Sequence, residues 1–221
     1  MEILRVAGVI NDIDYCHLDP EDFVYGVISE TLPLCGHDAS DAAYFVKMSK
    51  IGEPFINTWT RKYGREGYED FNAKYKRLEP KYRHLLRRID GVYEALENLR
   101  DRGFKLAALA NKQNFALNNS LIVTGLDQFF PEYLRIGIND GYEPKPSGEA
   151  ITVLAERMNV EIADLVMIGD TTIDMEAALQ TDAKAVGVLT GGTTREDFEK
   201  YGDQVLVLNS FAELPQVVER I

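Results

Sequence analysis

The stretch that decides the fold is Leu4-Arg5-Val6-Ala7-Gly8-Val9-Ile10, followed by Asn11-Asp12-Ile13-Asp14. A short, almost continuous apolar run is typical of a strand that is buried on both faces of a parallel sheet. We therefore expect a strand over residues 4–10, ending in a polar loop over residues 11–19. Two acidic side chains follow its carboxyl end, which is the edge where open α/β sheets bind ligands.

From residue 91 onward, strand-like and helix-like segments alternate. The predicted strands cover residues 104–109, 133–136, 165–168, 183–188 and 205–208. The predicted helices cover residues 91–102, 114–124, 147–158, 174–181, 196–201 and 211–219. Repeated strand–helix units predict an α/β fold with a Rossmann-like, doubly wound parallel sheet.

Between residues 20 and 88 the pattern changes, and apolar residues recur at intervals of three and four. This spacing predicts about four helices. Breaks between them are expected at residues 34–37, 52–54 and 64–67. We therefore predict an α/β catalytic core over residues 1–17 and 88–221, with an all-helical cap over residues 18–87 inserted after the first strand.

The chain is acidic, with 24 Lys+Arg, 36 Asp+Glu and a formal net charge of −12. Residues 18–87 hold 11 residues of each sign, so the acidic excess belongs to the predicted core. Such a charge disfavours nucleic-acid and membrane partners. Two free thiols, and an N-terminal apolar run too short for a signal peptide, lead us to expect a cytoplasmic protein. The oligomeric state, monomer or homodimer, stays open.

Candidate chemical groups follow four of the predicted strands at the points where those strands end. They are Asp12 and Asp14, then Ala110-Asn111-Lys112, then Lys145, and finally Asp170 and Asp174. Any one of these aspartates alone is more often a turn or helix cap. Four carboxylates at one edge would repel one another unless a cation lies among them. Their hard oxygens favour Mg²⁺ over zinc, and a lysine suits a phosphoryl group.

Three of these segments resemble sequence motifs of the haloacid dehalogenase superfamily. They are Asp12-Ile13-Asp14, Lys145-Pro146 and Gly169-Asp170-Thr171-Thr172-Ile173-Asp174, in the family's order and spacing. The helical insert resembles the cap of the phosphoglycolate phosphatase and β-phosphoglucomutase-like branch, so the resemblance covers essentially the whole chain. It implies a Mg²⁺-dependent phosphatase that hydrolyses a small phosphorylated metabolite through an aspartyl-phosphate, with the insert closing over the site.

The resemblance also implies a role for each matched residue. Asp12 would be the nucleophile that attacks phosphorus. Asp14 would protonate the leaving oxygen and then activate water. Lys145 would neutralise the nucleophile and the phosphoryl oxygens. Mg²⁺ would be held by the Asp12 carboxylate, the Asp14 backbone carbonyl and Asp170, with Asp174 supporting it directly or through water.

The chain departs from the family pattern at two places. The second motif of the family has a Ser or Thr hydroxyl where this chain has Ala110, although the backbone amides of Ala110 and Asn111 could still donate to phosphate. Tyr15, Cys16 and His17 stand where Gly, Thr and an aliphatic residue are usual. Cys16 would fill the space of the Thr, whereas Tyr15 and His17 either reach the substrate cleft or pack under the insert.

Two other functions stay open. A phosphomutase of the same family would return the phosphoryl group to a sugar hydroxyl, and a low-activity homologue would bind a phospho-ligand with little turnover. Dehalogenation is disfavoured, because dehalogenases lack an acid at the position of Asp14. The Gly191-Gly192-Thr193-Thr194 stretch is expected to be an ordinary loop that ends in a helix N-cap.

Overall fold

The computed structural model of the chain describes residues 6–221, so positions 4 and 5 of the first predicted strand lie outside the described residues. Within residues 6–221 the strands are β1 (Gly8–Asn11), β2 (Leu18–Asp19), β3 (Arg87–Arg88), β4 (Lys105–Leu109), β5 (Arg135–Ile136), β6 (Leu165–Gly169), β7 (Lys184–Val188) and β8 (Val205–Leu208). The α-helices are α1 (Glu21–Leu34), α2 (Ala42–Ser49), α3 (Phe55–Tyr63), α4 (Tyr68–Tyr82), α5 (Val92–Asp101), α6 (Asn114–Thr124), α7 (Glu149–Met158), α8 (Thr172–Leu179), α9 (Arg195–Glu199) and α10 (Leu214–Val217).

Among the described residues, one compact unit comprises residues 6–18 and 88–221. Its sheet has the strand order β5-β4-β1-β6-β7-β8, and each of these neighbouring pairs is parallel. The chain builds outward from β1 to β5 on one side and then from β6 to β8 on the other. This confirms the predicted Rossmann-like, doubly wound sheet, and it places the switch point of the strand order at β1. Open α/β sheets bind ligands at such a point.

Both faces of the sheet are buried. Val9 and Val166 belong to an apolar cluster that includes residues of α5, α6 and α10. The next residues along the two strands, Ile10 and Met167, belong to a second cluster that includes residues of α7, α8 and α9. Because successive side chains of a strand point to opposite faces, a strand covered on both sides needs apolar residues at every position. This is why β1 and β6 read as continuous apolar runs.

Residues Asp19–Arg87 form a second compact unit. Its α-helices are α1 to α4, and its core is aromatic. Phe45, Trp59 and Phe71 are at most 1% exposed. The ring of Phe71 lies 4.7 Å from that of Trp59 and 5.6 Å from that of Phe45, measured between centroids. These three aromatic residues of the insert therefore fill the interior of a small helical unit.

Two local differences from the predicted elements have physical causes. Asn11 lies within β1 rather than in a loop, because it pairs with Ala108 of β4 and Ile168 of β6. Its buried side chain is tolerated there since Nδ2 donates to the carbonyls of Val9 and Ala107 at 2.9 Å each. The predicted C-terminal helix is broken into α10 and two flanking 3₁₀ turns. Pro215 stands at the start of α10, where a residue without an N–H fits a first helical turn but cannot continue an earlier one.

Within residues 6–221, no helix has both the length and the apolar character needed to cross a membrane.

Candidate active site

The loop after β1 starts tied to the sheet and then turns sharply. The Asp12 N–H donates to the Ile168 carbonyl of β6 at 2.9 Å, and the Leu18 N–H donates back to the Ile13 carbonyl at 3.0 Å. Tyr15 has a φ of 58°, a left-handed conformation that costs a non-glycine residue about 1–2 kcal/mol. The family's usual glycine would adopt this conformation at lower cost, so the turn explains that preference.

Lys145 contacts groups that follow β1, end β4 and lie in the first turn of α8. Its Nζ donates to Asp12 Oδ1 at 2.6 Å, to Asp174 Oδ1 at 2.6 Å and to the Leu109 carbonyl at 3.0 Å. The side chain is only 3% exposed. Burial alone would lower the pKa of Lys145, but the carboxylates of Asp12 and Asp174 outweigh burial and raise that pKa above its ordinary value. Lys145 is therefore a fixed positive charge.

Asp12, Asp170 and Asp174 place carboxylate oxygens within 4.8 Å of one another. Asp170 is 2% exposed, and its Oδ2 has no hydrogen-bond partner among the described residues. Burial raises the pKa of Asp12 to about 7 against the charge of Lys145, and Asp174 adds to the rise. Burial, followed by the charges of Asp12 and Asp174, raises the pKa of Asp170 well above its ordinary value. An unpaired buried oxygen among repelling carboxylates fits a hard cation.

Besides Lys145, Asp174 contacts Thr171 through two hydrogen bonds. Its Oδ2 accepts hydrogen bonds from the Thr171 N–H at 3.0 Å and the Thr171 hydroxyl at 2.7 Å. Asp174 therefore fixes the start of α8 and holds Lys145 at the same time. Its contact with a metal, direct or through water, stays a prediction.

The side chain of Asp14 lies outside the group of three clustered carboxylates and contacts Lys112. The Lys112 Nζ lies 2.8 Å from each of the two Asp14 carboxylate oxygens. Four carboxylates and two ammonium groups thus carry a net charge of −2 at the site when all are ionised. Sequence reasoning assigned Lys112 no role. Lys112 directly follows Ala110 and Asn111 on the same loop, and this position could have indicated a role for it at the site.

Ala110 and Asn111, predicted to bind phosphate, have different surroundings. The Ala110 N–H donates to the Ile136 carbonyl at 3.0 Å. This corrects the expectation for Ala110, because the sheet already uses that donor. The Asn111 side chain clamps the backbone of Lys145: its Nδ2 donates to the Lys145 carbonyl at 2.7 Å, and its Oδ1 accepts from the Lys145 N–H at 3.0 Å. Phosphate binding by the Asn111 amide stays a prediction.

The three unusual residues after Asp14 are all buried. Tyr15 is 4% exposed, and Cys16 and His17 are 0% exposed. The His17 ring packs against that of Phe211, tilted by 44° with centroids 4.2 Å apart. Burial lowers the pKa of His17 to about 3, so the imidazole is neutral. Burial, with the nearby aspartates, raises the pKa of the Cys16 thiol. Cys16 is the small buried residue expected, and His17 packs in the interior of its unit.

Gly191 lies directly against the carboxylate of Asp170. A Cβ at this position would come within 1.9 Å of Asp170 Oδ2, so a glycine is needed for the carboxylate to occupy its place. Farther along, the Thr194 hydroxyl accepts from the Asp197 N–H at 3.3 Å, and the predicted N-cap is confirmed. The sequence predicts an ordinary loop here and does not indicate the contact between Gly191 and Asp170. That contact depends on how the loop after β7 packs against the loop after β6.

The doubly wound parallel sheet defines an α/β protein, and the acidic groups and lysines at the carboxyl edge of the sheet form a candidate ligand site at its switch point. The sequence model of the haloacid dehalogenase-like hydrolases matches residues 9–188, and the chain belongs to this family. Hydrolases of this family generally use a divalent metal ion, and the three clustered carboxylates are its candidate ligands.

Two curated relatives and one solved structure illustrate the family. The chain is 32% identical over 124 residues to "Pyrophosphatase PpaX" of Listeria monocytogenes serotype 4a (strain HCC23), covering 56% of this chain and 54% of that protein. It is 33% identical over 115 residues to "Phosphoglycolate phosphatase" of Colwellia psychrerythraea, covering 52% and 50%. The chain thus spans about half the length of these relatives. A crystal structure of a HAD family hydrolase from Deinococcus radiodurans R1, with bound phosphate and sodium, has a TM-score of 0.74 at 22% identity, covering 98% of this chain and 97% of that chain.

Gly191→Ala should weaken cation binding without unfolding the protein. The new methyl group would displace the Asp170 carboxylate, whose Oδ2 lies 1.9 Å from the Cβ position. We expect the affinity for a divalent cation to fall by about 10–100-fold, as for other changes that misplace a metal ligand. A Mg²⁺ titration followed by calorimetry measures this, with Thr193→Ala in the same loop as the control. Equal affinities in the Gly191→Ala and control proteins would rule out the carboxylate of Asp170 as a ligand.

Proposed function

We propose that this protein is a Mg²⁺-dependent phosphatase that hydrolyses a small phosphorylated metabolite through an aspartyl-phosphate on Asp12. The observation that carries the proposal is the contact of Lys145 with Asp12 at 2.6 Å, beside the Oδ2 of Asp170, which has no hydrogen-bond partner within residues 6–221. Together these groups offer a nucleophile, a fixed cation and a metal ligand at one sheet edge. That combination suits phosphoryl transfer, which depends on positioning and on neutralising charge.

Asp12 is the proposed nucleophile. One of its carboxylate oxygens forms the new bond to phosphorus while the bond from phosphorus to the leaving oxygen breaks. The hydrogen bond from the Asp12 N–H to the Ile168 carbonyl holds the backbone of the nucleophile in place. The Lys145 ammonium lowers the repulsion between the attacking carboxylate and the phosphoryl oxygens.

Asp14 is the proposed acid and base. Its carboxyl group gives a proton to the leaving alcohol oxygen, and it then takes a proton from the water that attacks phosphorus. The second step releases inorganic phosphate and restores Asp12. Asp14 lies two residues from the nucleophile and its side chain is 36% exposed, so the proton can pass to substrate or water.

We assign the metal to the carboxylates of Asp12 and Asp170 and the backbone carbonyl of Asp14, with Asp174 supporting it directly or through water. When bound, the cation supplies positive charge against the phosphoryl oxygens. The clustered ligand atoms are all carboxylate oxygens, which supports Mg²⁺ rather than zinc. The Asn111 clamp on the Lys145 backbone keeps the ammonium beside this group.

The relatives support a phosphate-releasing enzyme without fixing its substrate. The two curated relatives bear the names pyrophosphatase and phosphoglycolate phosphatase, and the solved structure from Deinococcus radiodurans contains phosphate. These names support a phosphatase over a phosphomutase. They also make inorganic pyrophosphate and 2-phosphoglycolate the first two compounds to test.

A screen of phosphorylated metabolites with and without Mg²⁺ tests the proposal. We expect phosphate release from at least one small phosphorylated compound with added Mg²⁺, and loss of that release when the metal is chelated. A phosphomutase would instead interconvert sugar phosphates while releasing little phosphate. Phosphate release that is equally fast in the presence of a chelator would contradict the assigned metal.

A further inference from the structure

The Asp14–Lys112 pair is not an ordinary surface ion pair. Surface pairs between long mobile side chains contribute about 0–1 kcal/mol and hold neither partner firmly. Here one ammonium contacts both oxygens of the carboxylate at 2.8 Å each, and the Lys112 side chain is only 20% exposed. A cation that contacts both oxygens fixes the plane of the carboxylate as well as its position.

Lys112 is itself held by its neighbours. Its Nζ contacts the Ser120 hydroxyl at 3.1 Å, and Ser120 is a 4% exposed residue of α6. Its backbone carbonyl accepts from the Ile138 N–H at 2.9 Å. The chain passes so close to this carbonyl at Gly137 that a Cβ there would come within 2.7 Å of it. Both ends of Lys112 are therefore anchored, and the ammonium is aimed at Asp14.

We propose that Lys112 is a positioning residue that holds Asp14 for proton exchange with the leaving oxygen. This inference rests on the proposed function, in which Asp14 is the acid and base. One Asp14 oxygen remains on the Lys112 ammonium while the other gives its proton to the leaving group. Ser120 acts on Asp14 only through Lys112, because its hydroxyl restrains the lysine ammonium.

The leaving group of the substrate separates this role from a general structural one. The p-nitrophenolate ion leaves without being protonated, whereas an alkoxide needs a proton from the acid. The ratio kcat/KM reports the steps through the first irreversible one. Misplacing Asp14 should therefore reduce kcat/KM for an alkyl phosphate and spare that for p-nitrophenyl phosphate.

The experiment compares Lys112→Met, Ser120→Ala and the exposed-site control Lys200→Met on these two substrates. For Lys112→Met we expect kcat/KM to fall by about 10²-fold with the alkyl phosphate and by less than about 3-fold with p-nitrophenyl phosphate. Ser120→Ala should give a smaller loss with the same dependence on the leaving group, and Lys200→Met should leave both values unchanged. Equal losses on the two substrates, or an alkyl phosphate activity that is unchanged or raised, would overturn the proposal.

A crystal structure of the Lys112→Met protein provides a readout that does not depend on turnover. We expect the Asp14 side chain to adopt a different rotamer or several. An Asp14 carboxylate in its original place would refute the positioning role even if the protein hydrolysed no phosphate ester. Failure of the proposed function has a separate signature, since the unmodified protein would then release no phosphate from any compound of the metabolite screen, and the alkyl phosphate for the comparison of variants is taken from the compounds that the unmodified protein hydrolyses.

Discussion

Replacing Asp12 with Asn should abolish phosphate release, with kcat falling by about 10⁴-fold or more, as expected when a nucleophile is removed. Asn has nearly the same shape and retains an oxygen that can accept from Lys145. It lacks the carboxylate charge and nucleophilicity needed to attack phosphorus. Single-turnover assays with the best substrate of the screen measure the loss. Asp182→Asn, at an exposed aspartate of the same unit, is the control.

Asp12→Asn should not reduce the free energy of unfolding. A loss of activity in this variant would therefore come from the missing nucleophile and not from unfolding. Burial moves the pKa of Asp12 from its ordinary 3.8 to about 7, a change that corresponds to about 4 kcal/mol. The folded protein therefore binds a proton more tightly than the unfolded chain, and ionising Asp12 lowers stability as the pH rises from about 4 to about 7. Without metal, the stability advantage of Asp12→Asn over the unmodified protein in urea unfolding should therefore be larger at pH 8 than at pH 5.

Trace hydrolysis that is unchanged in Asp12→Asn would contradict the catalytic role of Asp12 and favour a phospho-ligand-binding protein.

The sheet could be predicted because its signals are local. The run Leu165–Ile168 is apolar at every position because β6 is covered on both faces, and predicted helix 114–124 coincides with α6. β5 is harder to predict because only Arg135 and Ile136 pair with β4. Residues 132–134 before it form a 3₁₀ turn rather than part of the predicted strand.

The sequence predicts which strand ends carry the residues of the candidate site, but it does not predict which of their atoms are in contact. Parallel strands bring their carboxyl ends to one edge, so residues that follow β1, β4 and β6 must meet. Which atoms then touch depends on loops that close independently of the local sequence pattern. Lys145 reaches Asp12 from 133 residues away, and Lys112 reaches Asp14 from 98 residues away. The correction at Ala110 has the same origin, because the Ile136 carbonyl that occupies its amide belongs to another strand.

The buried lysine should dominate both the stability of the site and its catalysis. Lys145→Met keeps an unbranched side chain of nearly the same length but leaves Asp12 and Asp174 without the cation that each contacts at 2.6 Å. Removing one partner of a buried ion pair costs about 3–5 kcal/mol, because the other partner stays buried and uncompensated. Turnover should fall by about 10³-fold in addition, since a preorganised charge on the transferring phosphoryl group is lost.

The destabilisation by Lys145→Met should depend on pH in a direction fixed by the carboxylates. Lys145 is the main influence that lowers the pKa of Asp12, which burial raises to about 7. Without it the pKa of Asp12 rises further, so the folded variant retains protons that the unfolded chain releases above about pH 4. In urea unfolding with a chelator, the deficit relative to the unmodified protein should therefore be largest at pH 8 and shrink towards pH 5. The exposed-site variant Lys200→Met should show no deficit at either pH. If the deficit of Lys145→Met were equal at the two pH values, Lys145 would stabilise the fold by packing rather than by compensating the charge of Asp12.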